Sequence, residues 1–174
     1  PFIPYQFALF QSAIQTLSLH NAFEGKHSSV GERSMLGVFQ EVAKKISHSA
    51  IGQLATFDLM FDGIRSTLKS NIQNSILQAE NHLDNSFAIR LLKILFLVKY
   101  IKEFKPTVRN LRVLLLEQFD QDIAELEKTV QEALNLLEQQ TYIQRSGDIY
   151  EYLTNEEQDV EQEIKNTEVD YPAI

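Results

Sequence analysis

The sequence predicts a mainly helical protein that carries one short β-hairpin. Helices are favoured because the 174 residues include only 6 glycines and 4 prolines, the residues least compatible with a helix interior. Apolar side chains also recur every three or four residues over most of the chain, which is the spacing of an amphipathic helix. Near residue 142 this spacing changes to two, which is typical of a strand.

The first half of the chain is predicted to contain three helical regions. The first covers residues 5–20 and begins directly after Pro4. The second covers about residues 32–47. Between them, residues 21–31 are polar and include two glycines, which indicates a loop. A third region, residues 57–81, keeps a helical period throughout. Its apolar face is formed by Phe57, Met60, Phe61, Ile64, Leu68, Ile72, Ile76 and Leu77.

Three further helices are predicted before the change of period. A strongly apolar helix covers residues 86–102, with Asn85 or Ser86 as its N-cap. A short helix follows at residues 106–116, and a long one covers residues 120–140. The apolar positions of the short and the long helix predict that each buries one face.

A hairpin follows these helices, because alternating residues flank a turn at residues 145–148 that contains Gly147. The order apolar helix, short helix, long helix and hairpin is that of a winged-helix domain, which we place at residues 85–154. The preceding residues, 1–84, then form a separate helical module.

A last, very acidic helix is predicted after the hairpin. Thr154 and Glu157 have the spacing of a capping box, in which each residue bonds the main chain of the other. The helix is expected to end near residue 166, followed by a loose tail at residues 167–174. Together they form an acidic segment at residues 155–174.

Charge is distributed unevenly along the chain. The net charge is −8, but residues 1–116 carry 13 basic and 8 acidic side chains, whereas residues 117–174 carry 3 and 16. A winged helix that reads DNA lays its third helix in the major groove and needs basic side chains against the phosphates. The predicted third helix has only one basic residue, Lys128. Its acidic residues are Asp120, Asp122, Glu125, Glu127, Glu132 and Glu138. DNA contact through this helix is therefore not expected.

Composition and motifs exclude several function classes. The absence of cysteine excludes disulfide scaffolds, thiolate metal sites and cysteine nucleophiles. The sequence has no phosphate-binding P-loop, no dinucleotide-binding glycine motif and no HExxH. His20, His27, His48 and His82 lie far apart and are expected to be surface or loop residues. We therefore predict no catalytic residue and no metal site.

The expected compartment is the cytoplasm, with no membrane contact. The longest apolar stretch, residues 91–101, is interrupted by Lys93 and Lys99 and is too short to cross a bilayer. No signal peptide is recognisable at the start. Because the chain begins at Pro1 rather than Met, we expect it to be part of a longer protein.

One polar cluster, residues 27–36, opens the second predicted helix with the sequence HSSVGERSML. Arg33 lies in the first turn of this helix. Taken alone, it is expected to be a solvent-exposed arginine paired with Glu32 or Glu41.

A resemblance to a known family is carried by three segments, PFIPYQF, GKHSSVGERSMLGVFQEVAK and LLEQQTYIQRSGDIYEYLTNEEQDVEQEI. They are similar to the large P-loop ATPase of bacteriophage-exclusion (BREX) systems, the BrxC/PglY family, and the similarity extends from Pro1 to about Asp170. The resemblance implies a very large bacterial protein that acts with a DNA methyltransferase and other partners in phage defence. Its AAA+-type ATPase region would lie upstream, so ATP and Mg²⁺ would bind the parent protein and not this segment alone.

The resemblance also implies a role for Arg33. In AAA+ ATPases of the origin-recognition type, a helical lid carries a Gly-acid-x-Arg pattern whose arginine, called sensor 2, reaches the nucleotide phosphates. The sequence Gly31-Glu32-Arg33 is similar, with the arginine one residue early. A guanidinium suits this role because it pairs well with phosphate oxygens. A winged helix after the lid also recurs in that group.

We therefore expect a non-catalytic AAA+-lid-like module and winged helix that relay nucleotide state to other defence-system proteins or to neighbouring protomers. The alternative is an acidic helical module, unrelated to ATP, that binds proteins or mimics DNA. A third hypothesis is DNA binding by scattered basic residues of the first module, namely Lys44, Lys45, Arg65 and Lys69.

Overall fold

The computed structural model describes residues 4–25, 32–47 and 52–170, apart from the side chains of residues 32–35, 46 and 168–170. Over this part of the chain the protein is mainly helical with one two-stranded antiparallel sheet. The predicted fold class, mainly helical with a short hairpin, is confirmed at this level.

The helices, in chain order, are α1 (Pro4–Leu19), α2 (Glu32–Ile46), α3 (Asp58–Ile64), α4 (Ser70–His82), α5 (Ser86–Val98), α6 (Val108–Leu114), α7 (Ile123–Gln139) and α8 (Asn155–Asp170). Strands β1 (Ile143–Ser146) and β2 (Ile149–Tyr152) form the hairpin between α7 and α8. The predicted order of elements in the second half of the chain is therefore confirmed.

The prediction of a single helical region at residues 57–81 is wrong. Helix α3 ends at Ile64, a 3₁₀ turn follows, and α4 begins at Ser70. Between them Leu68 is extended, with ψ of 156°, and pairs with Phe23 in an isolated antiparallel bridge. Two main-chain hydrogen bonds of 2.9 Å flank this bridge, and both side chains are buried. These long-range contacts outweigh the local helical period.

Helix α8 begins where the sequence predicted but ends later. The capping box is present: the Thr154 N–H donates to Glu157 Oε1 at 3.0 Å, and the Glu157 N–H donates to Thr154 Oγ1 at 3.3 Å. The helix continues to Asp170 rather than ending near residue 166. No glycine or proline interrupts the sequence before Pro172, so nothing local stops the helix earlier. The end of the predicted loose tail, residues 171–174, lies outside the described residues.

Polar side chains fix the starts of the three helices that precede the hairpin. The side chains of Asn85, Thr107 and Asp122 accept hydrogen bonds of 3.0–3.2 Å from main-chain N–H groups three residues ahead. Of the two N-cap candidates for α5, Asn85 is therefore the cap. Asp122 also explains why α7 begins at Ile123 rather than at residue 120.

The hairpin turns through a two-residue loop of Gly147 and Asp148. Gly147 has φ of +64°, which glycine adopts without the steric cost of a Cβ. The register places Tyr150 and Tyr152 on one face, and both side chains are buried against the helices.

Helix α5 lies at the centre of the molecule. It packs on α1, α3 and α4 from the first half of the chain and on α7 and β2 from the second half. Its buried residues are Ala88, Leu91, Leu92, Lys93, Ile94, Leu95, Phe96, Leu97 and Val98. Residues on both sides of the predicted domain boundary, from Phe10 to Tyr152, thus share one hydrophobic core. The division into modules 1–84 and 85–154 remains a prediction.

A glycine allows α2 to pack closely on α3. A Cβ built on Gly63 would lie 2.5 Å from Cγ1 of Val38, which is buried in α2. The contact brings α2 directly against α3, and α3 in turn contacts α5.

Candidate functional site

Arg33 is the second residue of α2, so it lies in the first turn of a helix, as its sequence position predicted. Its side chain is outside the described side chains, and Gly31 is outside the described residues. The assignment of Arg33 as a nucleotide sensor therefore stays a prediction. The same applies to its possible pairing with Glu32 or Glu41.

Basic side chains on or next to α5 form ion pairs with distant elements. Arg90 donates to Asp58 Oδ2 at 3.3 Å and to Thr56 Oγ1 at 3.2 Å, and a guanidinium nitrogen also lies 3.3 Å from a carboxylate oxygen of Glu117. Asp58 is buried, and its Oδ1 has no hydrogen-bond partner among the residues that the structure describes. This pair joins α5 to the start of α3.

A second ion-pair group joins α3, α4 and α5. Lys93 Nζ lies 3.2 Å from an oxygen of Asp62 and 3.6 Å from one of Glu80, and Arg65 binds both oxygens of Glu80. The hydrogen bonds from Arg65, aided by the charge of Lys93, lower the pKa of Glu80 despite its partial burial. The group holds α3 and α4 against α5.

Lys99 joins the end of α5 to the hairpin and α8. Its side chain is only 4% exposed, and its Nζ lies 2.9 Å from carboxylate oxygens of both Glu151 and Glu157. It also donates to the main-chain oxygen of Tyr152 at 2.6 Å. Burial favours the neutral amine, but the two carboxylates outweigh it, so the pKa of Lys99 is raised. Lys99 is therefore a structural cation that is held charged.

A cavity of about 240 Å³ lies beside Lys99, between the end of α1, the start of α4 and the start of α8. The rings of His20 and Tyr100 are stacked at its wall, with centroids 3.6 Å apart. Tyr152 also lines the cavity, and burial raises the pKa of its hydroxyl. Because Lys99 is already bound by two carboxylates, it offers little free charge to an anionic ligand.

The described residues contain no group of three His, Asp or Glu side chains that could hold a metal ion. Of the four histidines, His20 stacks on Tyr100, and the Nδ1 of His82 lies 2.7 Å from the main-chain oxygen of Gln78. His27 and His48 lie outside the described residues.

The six carboxylates of the predicted third helix, residues 120–140, have different surroundings in the structure. Glu127 binds Arg112 at 2.7 Å, Glu138 lies 3.8 Å from Arg145, and Asp122 caps the helix. Asp120 precedes the helix. The charged residues within α7 that remain exposed are Glu125, Lys128 and Glu132. The sequence showed the charges, but the partners of Glu127 and Glu138 depend on tertiary contacts.

Helix α8 carries an acidic surface with an apolar pair at its centre. Val160 and Ile164 are one helical turn apart, and their side chains are 57% and 47% exposed. Glu156, Asp159 and Glu163 are exposed beside them. None of the described side chains of α8 is buried. The acidity of this helix was predictable from the sequence, but the exposure of its apolar pair was not.

An apolar groove of about 370 Å³ lies between α1 and α6. Its walls include Leu9 from α1, Phe104 from the preceding loop and Val113 from α6. The Tyr5 hydroxyl donates to the Val113 main-chain oxygen at 3.3 Å and closes one end. Val113 is exposed although it is apolar. The groove was not predicted, because its two walls are about a hundred residues apart in sequence.

No protein-family model matches this chain, and no solved structure matches it. Among the helices in the described ranges, none combines the length and apolar character needed to cross a membrane. Function is therefore inferred from the local geometry and from the resemblance in sequence.

Proposed function

We propose that this chain is an AAA+-lid-like module joined to a winged-helix domain within a BREX-type ATPase of the BrxC/PglY family. It relays the nucleotide state of the parent protein to other defence proteins or to neighbouring protomers. The resemblance of the three sequence segments supports the family. The order α5, α6, α7 and hairpin supports the winged helix.

The observation that carries the proposal is the position of α5. Helix α5 contacts α1, α3 and α4 of the proposed lid-like module as well as α7 and β2 of its own proposed winged helix. Helix α2, which carries Arg33, packs on α3 through Gly63 and Val38. A displacement of α2 can therefore pass through α3 to α5 by direct contacts.

Arg33 is the proposed nucleotide sensor at the start of this route. ATP and Mg²⁺ bind in the parent protein, and a guanidinium in the first turn of α2 can pair with phosphate oxygens. Loss of the γ-phosphate removes that charge, which releases α2. The proposed role of the present chain is to transmit this change rather than to hydrolyse ATP.

The test is Arg33→Ala in the intact parent protein, with ATP hydrolysis and protection against phage as the two measurements. We expect both to fall about tenfold or more, as for other arginines that contact transferred phosphates. The matched control is Gln40→Ala, which removes an exposed polar side chain from the same helix and should leave both unchanged. Unchanged hydrolysis and protection in Arg33→Ala would contradict the sensor role.

A second candidate function is favoured by α8. Its exposed carboxylates and lack of buried side chains suit an acidic surface that binds a basic protein or mimics DNA. The full chain should then capture a purified basic DNA-binding protein, and excess DNA should displace the chain from it. The charge-neutral variant Glu156→Gln/Asp159→Asn/Glu163→Gln should lose this capture. Equal capture by the variant would contradict this function.

A further inference from the structure

Three exposed cations, Lys102, Lys105 and Arg109, are close in sequence to residues that line the apolar groove between α1 and α6, and we call them its basic rim. Lys102 and Lys105 flank the lining residues Glu103 and Phe104 in the chain. Arg109, also exposed, precedes the lining residue Asn110. These three cations outnumber Glu103, the one carboxylate among the lining residues. The groove therefore suits an apolar segment that carries negative charge.

Helix α8 has the complementary features. Val160 and Ile164 have the i, i+4 spacing with which an amphipathic helix fills an apolar groove. The carboxylates of Glu156, Asp159 and Glu163 lie beside this pair, and their negative charge is complementary to the cations of the groove rim.

Within one chain, α8 is held on a different surface. Its polar contacts go to Lys99, to Thr141 at the end of α7 and to Ser75 of α4. These contacts use Glu157, Gln162, Lys165 and Asn155, which leaves Val160 and Ile164 exposed.

We propose that α8 of one copy of this chain binds the α1–α6 groove of a second copy. Val160 and Ile164 fill the groove, and the acidic side chains of α8 lie against Lys102, Lys105 and Arg109. The contact joins two different surfaces, so it is a head-to-tail contact rather than a symmetric one. It depends on neither the ATPase assignment nor the sensor role of Arg33.

The first test is the mass of the full chain in solution, measured by light scattering over a range of protein concentrations. We expect the mass to rise above that of one chain with concentration and to fall again as salt is added, because the charges at the rim are screened. Ile164→Glu and Val113→Glu should each weaken association about tenfold or more, since each places a carboxylate in an apolar contact. A wild-type mass equal to one chain at every concentration would overturn the proposal.

A matched control is available on α4. Leu77 is 49% exposed, almost the same as Ile164 at 47%, and it lies on neither proposed surface. Leu77→Glu should leave the association of the chain unchanged. Equal weakening by Leu77→Glu would show a non-specific hydrophobic contact and overturn the proposal. Circular dichroism of each variant verifies that its helices are intact.

A mixture of the two variants gives the sharpest test. The Ile164→Glu chain retains an intact groove, and the Val113→Glu chain retains an intact α8, so together they can form one contact. Each variant alone should have the mass of one chain, whereas the mixture should reach the mass of two chains and no more. An α8–α8 contact would be lost only in Ile164→Glu, and a groove–groove contact only in Val113→Glu. Either of those patterns, or a mixture that stays at the mass of one chain, would overturn the proposal.

Discussion

At the level of single residues, Lys99 is the buried cation on which three elements converge. Lys99→Met leaves Glu151 and Glu157 without their shared partner and removes the hydrogen bond to Tyr152. We expect the free energy of unfolding to fall by about 2 kcal/mol, the usual cost of losing a buried charged hydrogen bond.

Urea unfolding measures this loss, and Lys128→Met is the control because Lys128 is an exposed cation of α7. The control should change stability by no more than about 0.5 kcal/mol. An equal effect of both substitutions would show that the pairing of Lys99 contributes nothing specific.

Glu80 makes the stability of the protein depend on pH. Arg65, with support from Lys93, lowers the pKa of Glu80 in the folded state below its ordinary value of 4.5. The unfolded chain therefore binds the proton more readily, so this stabilisation is present above pH 4.5 and is lost as the pH falls through the lowered pKa.

Urea unfolding from about pH 5 downwards should show a smaller loss of stability in Glu80→Gln than in the wild type. Arg65→Met should also make stability depend less steeply on pH, because it removes the arginine that pairs with Glu80. If both variants lost stability with falling pH as steeply as the wild type, the Arg65–Glu80 pair would not be a cause of the pH dependence.

Residues that act locally were predictable from the sequence, and residues that act over long distances were not. Asn85, Thr154 and Gly147 each act on main-chain groups no more than three residues away. Their residue types were therefore enough to predict two helix caps and a turn. Lys93 and Lys99 were visible only as interruptions of an apolar stretch. Their carboxylate partners lie about 30 and 50 residues away, beyond the reach of any local pattern.

At the level of elements, the contact between α2 and α3 depends on Gly63. Gly63→Ala places a Cβ 2.5 Å from Val38 Cγ1, so α2 must shift or Val38 must repack. Alanine favours a helix by about 1 kcal/mol over glycine, but overpacking costs about 1–3 kcal/mol. We expect a net loss of stability of about 1 kcal/mol, which Val38→Ala in the same chain should reduce.

Gly37→Ala is the control for this prediction. Gly37 lies in α2, and a Cβ there meets nothing within 4 Å, so the same substitution should stabilise the protein by up to about 1 kcal/mol. Urea unfolding of the two variants should give opposite signs. The same sign in both would show that the close approach of α2 and α3 has no energetic consequence.

The break between α3 and α4 shows the limit of periodicity as a predictor of elements. Apolar residues continue at helical spacing through Leu68, yet this residue is extended because it pairs with Phe23. Both residues are apolar and suit a strand as well as a helix. The two paired residues are 45 positions apart in the sequence, and no local signal indicates that they pair.

At the level of the whole molecule, the continuous core predicts cooperative unfolding. Both sides of the predicted boundary at residues 84 and 85 pack on α5. We therefore expect a single thermal transition in scanning calorimetry, with equal calorimetric and van't Hoff enthalpies. Lys99→Met should shift this whole transition rather than a part of it. Two separate transitions would contradict the shared core and support independent modules.

The candidate surfaces combine features that the sequence revealed with features that it did not. The excess of negative charge after residue 116 correctly marked α8 as acidic. In α7 the sequence showed the carboxylates but not that Arg112 and Arg145 lie beside two of them. The α1–α6 groove depends entirely on how distant helices pack.

The central position of α5 has a consequence for biosynthesis. Helices α1 to α4 are made first, but much of the surface that they bury is supplied by residues 86–98. Until those residues have left the ribosome, α1, α3 and α4 lack the contacts that they make with α5. Incompletely folded chains with exposed apolar surface aggregate readily. The nascent chain is therefore most in need of a chaperone during the interval before α5 emerges.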